Sequence, residues 1–502
     1  MRVPCTAVPA SRLKPLLQRQ SAWTLTQQDT LNMQMRKPIT MDPPRLLPAI
    51  GEGNLATADI DLMLEALRQA LSRPRGELSA PDEASAISRA VEQRVGHSIS
   101  EAGLGLPAAL DVFGSLLAQQ GVPTDHPGYL AYIGSAPTPA AALMDGLLST
   151  TGMIGSGWLG GAGLIWAENQ ALRWLADLAQ LPGEAGGCFV SGGTAGNFSA
   201  LAAARQRYRE RTGRRGGLVL AGLAAHASID VSAGLLDLER VGVACDEQGR
   251  MTAAGLAQTL GELAADGRLE QVVAIVAVAG STNAGQIDDL PGVGTIARQQ
   301  GIWFHVDAAY GGAFLCVPQV RPQFQGIELA DSLIIDPHKG LFVPYDCCAL
   351  LYAQPQQAMP AFTQDASYLD QINESQQFNP MHYAFHLSRR ARGVPLWFSL
   401  VVHGSDAYRH TLERILALTD NLRLRIARHP RLELIEASGL SVILFKRRGW
   451  QAAEYDAWAQ DCLREGIALV VPTRWQGETV MRLCIMNTGL DEARCDRLLA
   501  GL

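Results

Sequence analysis

Two stretches of the sequence place charged side chains directly after apolar runs. His305-Val-Asp-Ala-Ala-Tyr310 continues the run that begins at residue 302, and Asp336-Pro-His-Lys-Gly340 follows Ser332-Leu-Ile-Ile335. Charged residues seldom end an apolar strand without a partner or a role, so solvated surface charges are the weaker interpretation of Asp307 and Lys339. Because each stretch ends a predicted strand, these two side chains can converge on one bound molecule.

An amine and a carboxylate in this arrangement suit the chemistry of pyridoxal phosphate. A lysine amine forms the resting Schiff base with the cofactor aldehyde, and the amine must be uncharged when it attacks. Burial at a strand end is therefore expected to lower the pKa of Lys339. A carboxylate paired with the pyridine nitrogen keeps that nitrogen protonated, so the ring accepts the electrons left on the substrate Cα. We predict the first role for Lys339 and the second for Asp307.

A glycine-rich turn lies upstream, in Ser191-Gly-Gly-Thr-Ala-Gly-Asn197, between a predicted strand and a predicted helix. The free N–H groups at a helix start bind phosphate, and glycines let the backbone approach closely. Many such turns bind nothing, so the motif alone is weak evidence. Placed upstream of Asp307 and Lys339, it predicts a phosphate clamp at Gly193, Thr194 and Ala195.

Two further turns follow predicted strands. A histidine flanked by alanines, such as His226, is more often a core residue, but its position in this series favours stacking on the cofactor ring. Ser281 or Thr282, in Gly280-Ser-Thr-Asn-Ala-Gly285, can contact the ring oxygen or the phosphate, although a plain turn explains this stretch nearly as well. We predict Thr282 as the contact.

The elements that must position these residues lie between residues 187 and 352. In this part of the sequence, short apolar runs alternate with stretches of helical pattern. Runs that are apolar on both faces indicate an α/β fold with a mostly parallel central sheet and helices on both faces. Ligands bind at the carboxyl ends of the strands in such sheets. The predicted divisions are a disordered or misassigned start (1–40), an N-terminal helical arm (41–125), a large cofactor-binding domain (126–393) and a small C-terminal α+β domain (394–502).

The composition excludes several classes of protein. The 42 basic and 49 acidic residues give a net charge of −7 without long blocks of either sign, which argues against a nucleic-acid partner. Nine scattered cysteines without a C-x-x-C pair indicate neither a disulfide framework nor a metal site, and they fit the cytoplasm. No run of apolar residues predicts a membrane span. The basic bias of the first forty residues is shared with organelle transit peptides, but we favour a later start at Met33, Met35 or Met41.

Together these stretches resemble the group II pyridoxal-phosphate-dependent decarboxylases, the family of the aromatic amino-acid, histidine and glutamate decarboxylases. The resemblance runs from about residue 126 to residue 404, and its combined order and spacing are specific. It rests on His126-Pro-Gly-Tyr-Leu-Ala-Tyr132, Ser191 to Asn197, His226, His305 to Ala309, Asp336 to Lys339 and Ser388-Arg-Arg-Ala-Arg392.

The resemblance implies a fold-type I homodimer with active sites at the subunit interface. It also implies decarboxylation of an L-amino acid to an amine and CO2. By this likeness His338 contacts the cofactor phosphate and Ala309 packs under the ring. Tyr132 and Ile133 line the substrate pocket.

The sequence departs from the family pattern at several points. Gly340 replaces a bulky aromatic residue after the lysine, and Ile133 replaces an aromatic residue in the pocket. The tyrosine that protonates Cα has no clean match between residues 373 and 385, where His382 and Tyr383 are the candidates. A different pyridoxal-phosphate lyase or an aminotransferase therefore remains an alternative, and a non-catalytic cofactor-binding protein is a third. A substrate with a distal carboxylate would need an arginine, and the sequence does not choose among Arg389, Arg390, Arg392 and Arg482.

Overall fold

The computed structural model describes residues 57–72, 78–364, 366–373, 377–435 and 439–502. The predicted disordered or misassigned start, residues 1–40, lies outside the described residues. Contacts within the chain divide it into two compact units, Met1–Arg68 and Gln69–Leu502. The domain boundaries at residues 125 and 393 stay predictions. No described helix is both long enough and apolar enough to cross a membrane.

The N-terminal part of the described chain is helical. Two helices lie between residues 57 and 95, within the predicted helical arm, and the segment between them contains Pro81. The helices before the central sheet are α1 (Thr57–Ser72), α2 (Ala84–Val95), α3 (Leu106–Asp111), which continues into a π-helical turn (Val112–Leu117), α4 (Pro139–Thr150) and α5 (Trp158–Leu178).

A seven-stranded sheet forms the centre of the second unit. Its strands are β1 (Gly186–Val190), β2 (Leu218–Gly222), β3 (Glu239–Val243), β4 (Val272–Val278), β5 (Trp303–Asp307), β6 (Ser332–Ile335) and β7 (Cys348–Tyr352). Their order is β1-β7-β6-β5-β4-β2-β3, and β7 runs in the direction opposite to the other six strands. The prediction of a mostly parallel α/β sheet is confirmed.

Helices cover both faces of this sheet. They are α6 (Gly193–Thr212), α7 (Ser228–Leu235), α8 (Ala253–Ala265), α9 (Leu290–Gln300) and α10 (Pro337–Gly340), and a further short helix, α11 (Asp370–Asn373), follows β7 in the chain. Every residue of β4 is buried, as expected for a central strand between two helical layers. Helix α6 lies close against the sheet, because a Cβ atom added to Gly196 would come within 2.7 Å of Ile334 Cγ2.

The edge strand β3 was not predicted from the sequence. It pairs with β2 alone, and only Val243 of its five residues is buried. An edge strand that is half exposed has no continuous apolar run, which is the signal that identified the other strands of this sheet.

The C-terminal part is built from helices and a four-stranded antiparallel sheet. The strands β8 (Leu432–Leu434), β9 (Val442–Arg447), β10 (Val471–Trp475) and β11 (Glu478–Cys484) are arranged in the order β10-β11-β9-β8. The helices are α12 (Val394–His403), α13 (Ser405–Arg428), α14 (Ala452–Arg464) and α15 (Glu492–Ala500). The α+β pattern predicted from the sequence is present, and β10 is an additional strand.

Candidate active site

Polar side chains from four strand ends meet at one edge of the seven-stranded sheet. Asp307 is the last residue of β5, Asp336 follows β6, and His226 and Thr282 lie in the loops after β2 and β4. They line a cavity of about 420 Å³. All nine residues predicted to bind the cofactor line this cavity: Gly193, Thr194, Ala195, His226, Thr282, Asp307, Ala309, His338 and Lys339.

Lys339 is held by a neighbouring carboxylate. It lies in the single turn of α10, and its Nζ is 2.9 Å from Oδ2 of Asp336. Burial by itself lowers the pKa of the Lys339 amine, but the charge of Asp336 and its hydrogen bond outweigh burial and raise that pKa above its usual value. The expectation that burial would lower the pKa of Lys339 is therefore wrong for the cofactor-free chain, because Asp336 was not foreseen as its partner.

Asp307 is buried, and both of its carboxylate oxygens accept a hydrogen bond. Oδ1 accepts from the backbone N–H of Ala309 at 3.1 Å, and Oδ2 accepts from Nδ2 of Asn197 at 2.9 Å. Two donors from different elements fix the direction of the carboxylate, so Asp307 presents a preorganised negative charge to the cavity.

Asn197 connects this carboxylate to a buried chain of hydrogen bonds. Its Oδ1 is 2.8 Å from Nε2 of His305, and Nδ1 of His305 is 2.9 Å from Oγ of Ser332. Burial lowers the pKa of His305 to about 4. His305 is therefore neutral at physiological pH, and its Nε2–H donates to Asn197. Nδ2 of Asn197 also donates to Oγ of Ser228 at 2.9 Å.

His226 presents an exposed ring to the cavity rather than packing in the core. Its Nδ1 lies 2.8 Å from Oγ of Ser228, which sets the orientation of the ring. His338, the residue before Lys339, is buried and bonds through Nδ1 to the carbonyl of Cys347 at 2.6 Å. Burial lowers the pKa of His338 below its usual value.

The start of α6 fits a phosphate group. The first N–H groups of a helix have no partner within the helix, and here they face the cavity from Gly193, Thr194 and Ala195. A Cβ atom added to Gly193 would lie 3.1 Å from Oδ2 of Asp336 and 3.4 Å from Cβ of Ala309. The glycine therefore keeps open a space that a side chain would fill. Together with an amine and a carboxylate in the same cavity, this donor set matches pyridoxal phosphate.

Four predicted site residues do not line this cavity in the single chain. Tyr132 is exposed and Ile133 is buried in the core. His382 is buried, with Nε2 3.0 Å from Oδ1 of Asn373. Tyr383 is buried and stacks on Phe378 with ring centroids 4.7 Å apart. Their predicted roles stay predictions.

The residues that line the cavity without a role predicted from the sequence include four with polar side chains that the site can use: Asn197, Asp336, Tyr345 and Asp346. Asn197 and Asp336 lie inside motifs that were recognised in the sequence. Their closeness along the chain to Gly193 and Lys339 was the signal that could have identified them as site residues. Tyr345 and Asp346 come from a loop without strand or helix pattern. Only the fold brings this loop to the cavity.

The four arginines considered for substrate binding all lie outside the cavity lining. Arg389 is fully buried in a two-pronged ion pair with Glu168, at 2.6 and 2.7 Å. Arg390 pairs with Asp145 at 2.6 Å, and Arg392 pairs with Asp346 at 2.8 Å. Nε of Arg482 on β11 is buried without a hydrogen-bond partner in the described part of the chain.

Comparison with known proteins identifies relatives over most of the chain. The conserved domain of pyridoxal-dependent decarboxylases matches residues 114–448, well over half of the 502 residues. The L-2,4-diaminobutyrate decarboxylase of Rhizobium meliloti (strain 1021) is 31% identical over 78% of this chain and 80% of that protein. The aromatic-L-amino-acid decarboxylase of Bacillus atrophaeus is 26% identical over 85% of this chain and 90% of its own length.

Solved structures share the fold. The glutamate decarboxylase domain of a Vibrio parahaemolyticus diaminobutyrate-pyruvate transaminase and L-2,4-diaminobutyrate decarboxylase superposes with a TM-score of 0.77 at 22% identity, covering 89% of this chain and 96% of that one. Oryza sativa TDC, solved with PLP and tryptamine, gives a TM-score of 0.78 at 20% identity, covering 88% and 96%. The fold is therefore that of the pyridoxal-phosphate decarboxylases.

The predicted family, cofactor and reaction class are confirmed by the matched domain and by the relatives that span most of the chain. The geometry adds a cavity lined by a lysine amine, a preorganised carboxylate and the start of a helix. The chain belongs to the pyridoxal-dependent decarboxylase family, and it is a pyridoxal-phosphate-dependent amino-acid decarboxylase, a carbon–carbon lyase.

Proposed function

We propose that the cavity at the strand ends is the active site for decarboxylation of an L-amino acid to an amine, and that Lys339 anchors the cofactor there. The observation that carries this proposal is the convergence of Lys339, Asp307 and the first turn of α6 on one cavity. Bound pyridoxal phosphate supplies an electron-accepting ring for the electrons of the breaking Cα–carboxylate bond.

The side chains of the cavity would divide the remaining work. Asp307 would hold a proton on the pyridine nitrogen, and Asn197 and the N–H of Ala309 keep its carboxylate pointed into the cavity. His226 would stack on one face of the ring and Ala309 would pack against the other. The phosphate would be bound by the first turn of α6 (Gly193, Thr194 and Ala195), His338 and Thr282.

We propose a substrate whose side chain is neutral or basic rather than acidic. A distal carboxylate needs an arginine, and in the described part of the chain no arginine lines the cavity. Arg389, Arg390 and Arg392 are each paired with an acidic residue. The cavity instead contains the carboxylate of Asp346.

A panel of L-amino acids tests the substrate and the reaction together. Purified protein is incubated with aromatic amino acids, L-2,4-diaminobutyrate and L-glutamate, and released CO2 is compared with keto-acid product. We expect CO2 from an aromatic or diamino substrate and little from glutamate. Keto acid without CO2 would favour the aminotransferase alternative, and turnover of none of the panel would favour the non-catalytic one.

We propose that the active unit is a homodimer with active sites at the subunit interface, where Tyr132, Ile133 and either His382 or Tyr383 would contact the substrate. One of the last two would return the proton to Cα. Support comes from apolar side chains that are exposed on α12 and on α4 and α5, which both pack on α12: Leu143, Leu147, Leu159, Trp166, Val401 and Val402. Monomers seldom leave so much apolar surface exposed.

A cytoplasmic location is also part of the proposal. The eight cysteines in the described part of the chain are all free, and most of them are buried. Unpaired thiols suit a reducing compartment. Fractionation of the native host, with the activity followed in each fraction, tests this location.

Replacement of Lys339 is the direct test of the active site. We expect Lys339→Ala to lose both the near-visible absorbance of the lysine-linked cofactor and all decarboxylation, because the covalent link needs its amine. Lys446→Ala is the matched control, since Lys446 forms a surface ion pair with Glu478. Absorbance that is unchanged in Lys339→Ala would overturn the assignment.

A further inference from the structure

Asp336 is a second buried carboxylate in the cavity, beside Lys339 rather than beside Asp307. It is 1% exposed, and Oδ2 accepts from Nζ of Lys339 at 2.9 Å. Oδ1 is buried, and in the described part of the chain no N–H or O–H group donates to it. The Cys348 thiol hydrogen-bonds to this carboxylate, but an S–H group is a weak donor. A buried carboxylate that is stabilised so weakly at one oxygen is energetically costly.

A negative charge on Asp336 becomes energetically less favourable when the cofactor is bound, because of the groups that surround it. Oδ2 lies against Gly193, at the start of α6, where the phosphate group is proposed to bind. Two anions close together in a buried site repel each other strongly. Lys339 neutralises Asp336 only while its amine is charged, yet the amine must be uncharged when it bonds to the cofactor aldehyde.

Moving one proton resolves both conflicts. We propose that Asp336 receives the ammonium proton of Lys339 when pyridoxal phosphate enters, and that it remains as a neutral carboxyl group beside the phosphate. The proton passes from Nζ to a carboxylate oxygen, so the total charge of the pair does not change. The neutral amine then condenses with the aldehyde, and its two remaining hydrogens leave with the aldehyde oxygen as one water. This inference rests on the proposed function of Lys339 and adds a role for Asp336.

The other groups that face this pair are poorer proton acceptors. Asp307 already accepts two hydrogen bonds. His338 lies farther away, with Nε2 3.7 Å from Oδ2 of Asp336, and burial lowers its pKa. Burial raises the pKa of Tyr345 and of the Cys348 thiol, so both stay protonated. Asp336 is therefore the base that directly contacts the Lys339 amine.

Competitive labelling with acetic anhydride tests the first half of the proposal, because the reagent reacts only with neutral amines. Full-length protein is freed of cofactor with hydroxylamine, labelled across a range of pH, and Lys339 acetylation is quantified by mass spectrometry. Lys446 in the same chain serves as the reference amine. Asp336→Asn keeps the burial but removes the charge, so at pH 8 Lys339 should label about tenfold faster or more than in the wild type.

Asp346→Asn is the matched control for the labelling. It removes another carboxylate that lines the cavity, but one that pairs with Arg392 rather than with Lys339. Its Lys339 should label as in the wild type. Equal labelling of Lys339 in wild type and Asp336→Asn at every pH would overturn the role of Asp336.

Infrared difference spectroscopy tests where the proton goes, and the wild type alone can refute the proposal. Addition of pyridoxal phosphate to the cofactor-free protein should produce the C=O band of a neutral carboxylic acid, and this band should be missing in Asp336→Asn. Absence of the band in the wild type would overturn the proposal even if the variant did not fold.

Borohydride trapping separates this inference from the function on which it rests. Wild type and Asp336→Asn should both yield a reduced cofactor adduct on the peptide that contains Lys339, since the asparagine amide still fits beside the phosphate. An adduct without the labelling difference or the infrared band would refute the role of Asp336 alone. No adduct at Lys339 in the wild type would refute the proposed active site itself.

Discussion

The direction of Asp307 depends on one amide side chain from another element. Asn197, in the first turns of α6, donates to Asp307 and to Ser228 and accepts from His305. All three partners are buried, so a shorter side chain would leave several polar groups unpaired. We therefore regard Asn197 as a positioning residue that acts through Asp307.

Replacement of Asn197 by alanine should affect activity and stability together. Hydrogen bonds to charged groups contribute about 1.5–3 kcal/mol, so we expect Asn197→Ala to lower kcat/KM by about 10- to 100-fold and to lower the free energy of unfolding. Steady-state kinetics and urea denaturation measure the two effects. Ser199→Ala on the same helix is the control, because among the described residues its hydroxyl bonds only to the carbonyl of Ala195. Wild-type kinetics in Asn197→Ala would contradict the positioning role.

His386 gives the protein a predictable response to acid. Its Nε2 is buried without a hydrogen-bond partner among the described residues. Burial and the charges of Arg389 and Arg392 lower the pKa of His386 to about 4. Because the unfolded chain binds a proton near pH 6.5 and the folded chain does not, the contribution of His386 to stability is complete above pH 6.5. It is lost as the pH falls from 6.5 towards 4.

Replacement of His386 should therefore flatten the pH dependence of stability. Each such proton contributes up to about 1.4 kcal/mol per pH unit, and His386→Gln should reduce the slope of the unfolding free energy between pH 4 and 6.5 by up to that amount. His305 adds to the same slope. Asp288 opposes it, because burial raises the pKa of its carboxyl to about 7. His403→Gln makes the same change at an exposed helix end and serves as control. An unchanged slope in His386→Gln would contradict the prediction.

At the scale of elements, a buried ion pair ties the segment before α12 to the long helix α5. Arg389 donates two hydrogen bonds to Glu168 of α5, and the backbone N–H of Gly393 donates to the same carboxylate at 2.9 Å. Arg389 also donates to the carbonyl of Gly155, just before that helix. The arginine therefore holds a connection between elements instead of binding a substrate.

Breaking this pair from one side should be more damaging than removing it altogether. Arg389→Met leaves the Glu168 charge buried, and we expect a loss of about 3–5 kcal/mol in the free energy of unfolding. The double variant Arg389→Met with Glu168→Leu should lose less than either single variant. Arg390→Met, at the surface, should change stability by less than about 1 kcal/mol. Denaturant titration measures all four proteins, and additive losses would contradict the coupling.

At the scale of the whole molecule, the exposed apolar face of α4, α5 and α12 is the surface through which we expect two copies of the chain to associate. We expect Leu147→Asp and Val401→Asp to convert the proposed homodimer to a monomer, because each places a charge in an apolar contact. Leu424→Asp changes a similarly exposed leucine on α13 and should leave the assembly intact. Sedimentation velocity measures the result, and a dimer that persists in both face variants would exclude this surface.

Much of the fold could be predicted because its signals are local. Continuous apolar runs identified the buried strands, and glycine with a following helical pattern identified the start of α6. The edge strand β3 was not predicted, because it pairs with only one neighbour and lacks an apolar run. Tyr345 and Asp346 were not predicted as site residues, because their loop has no periodic pattern and reaches the cavity only through the fold.

The sequence by itself determined which chemical groups could act, since residue types and their order along the chain define the amine, the carboxylate and the phosphate-binding turn. Tertiary structure decided how those groups behave. The pKa of Lys339 rises rather than falls because Asp336 lies 2.9 Å away, and Arg389 is occupied because Glu168 reaches it from a distant helix. Charge interactions and hydrogen bonds depend on distances of a few ångströms between side chains, and those distances exist only once the chain has folded.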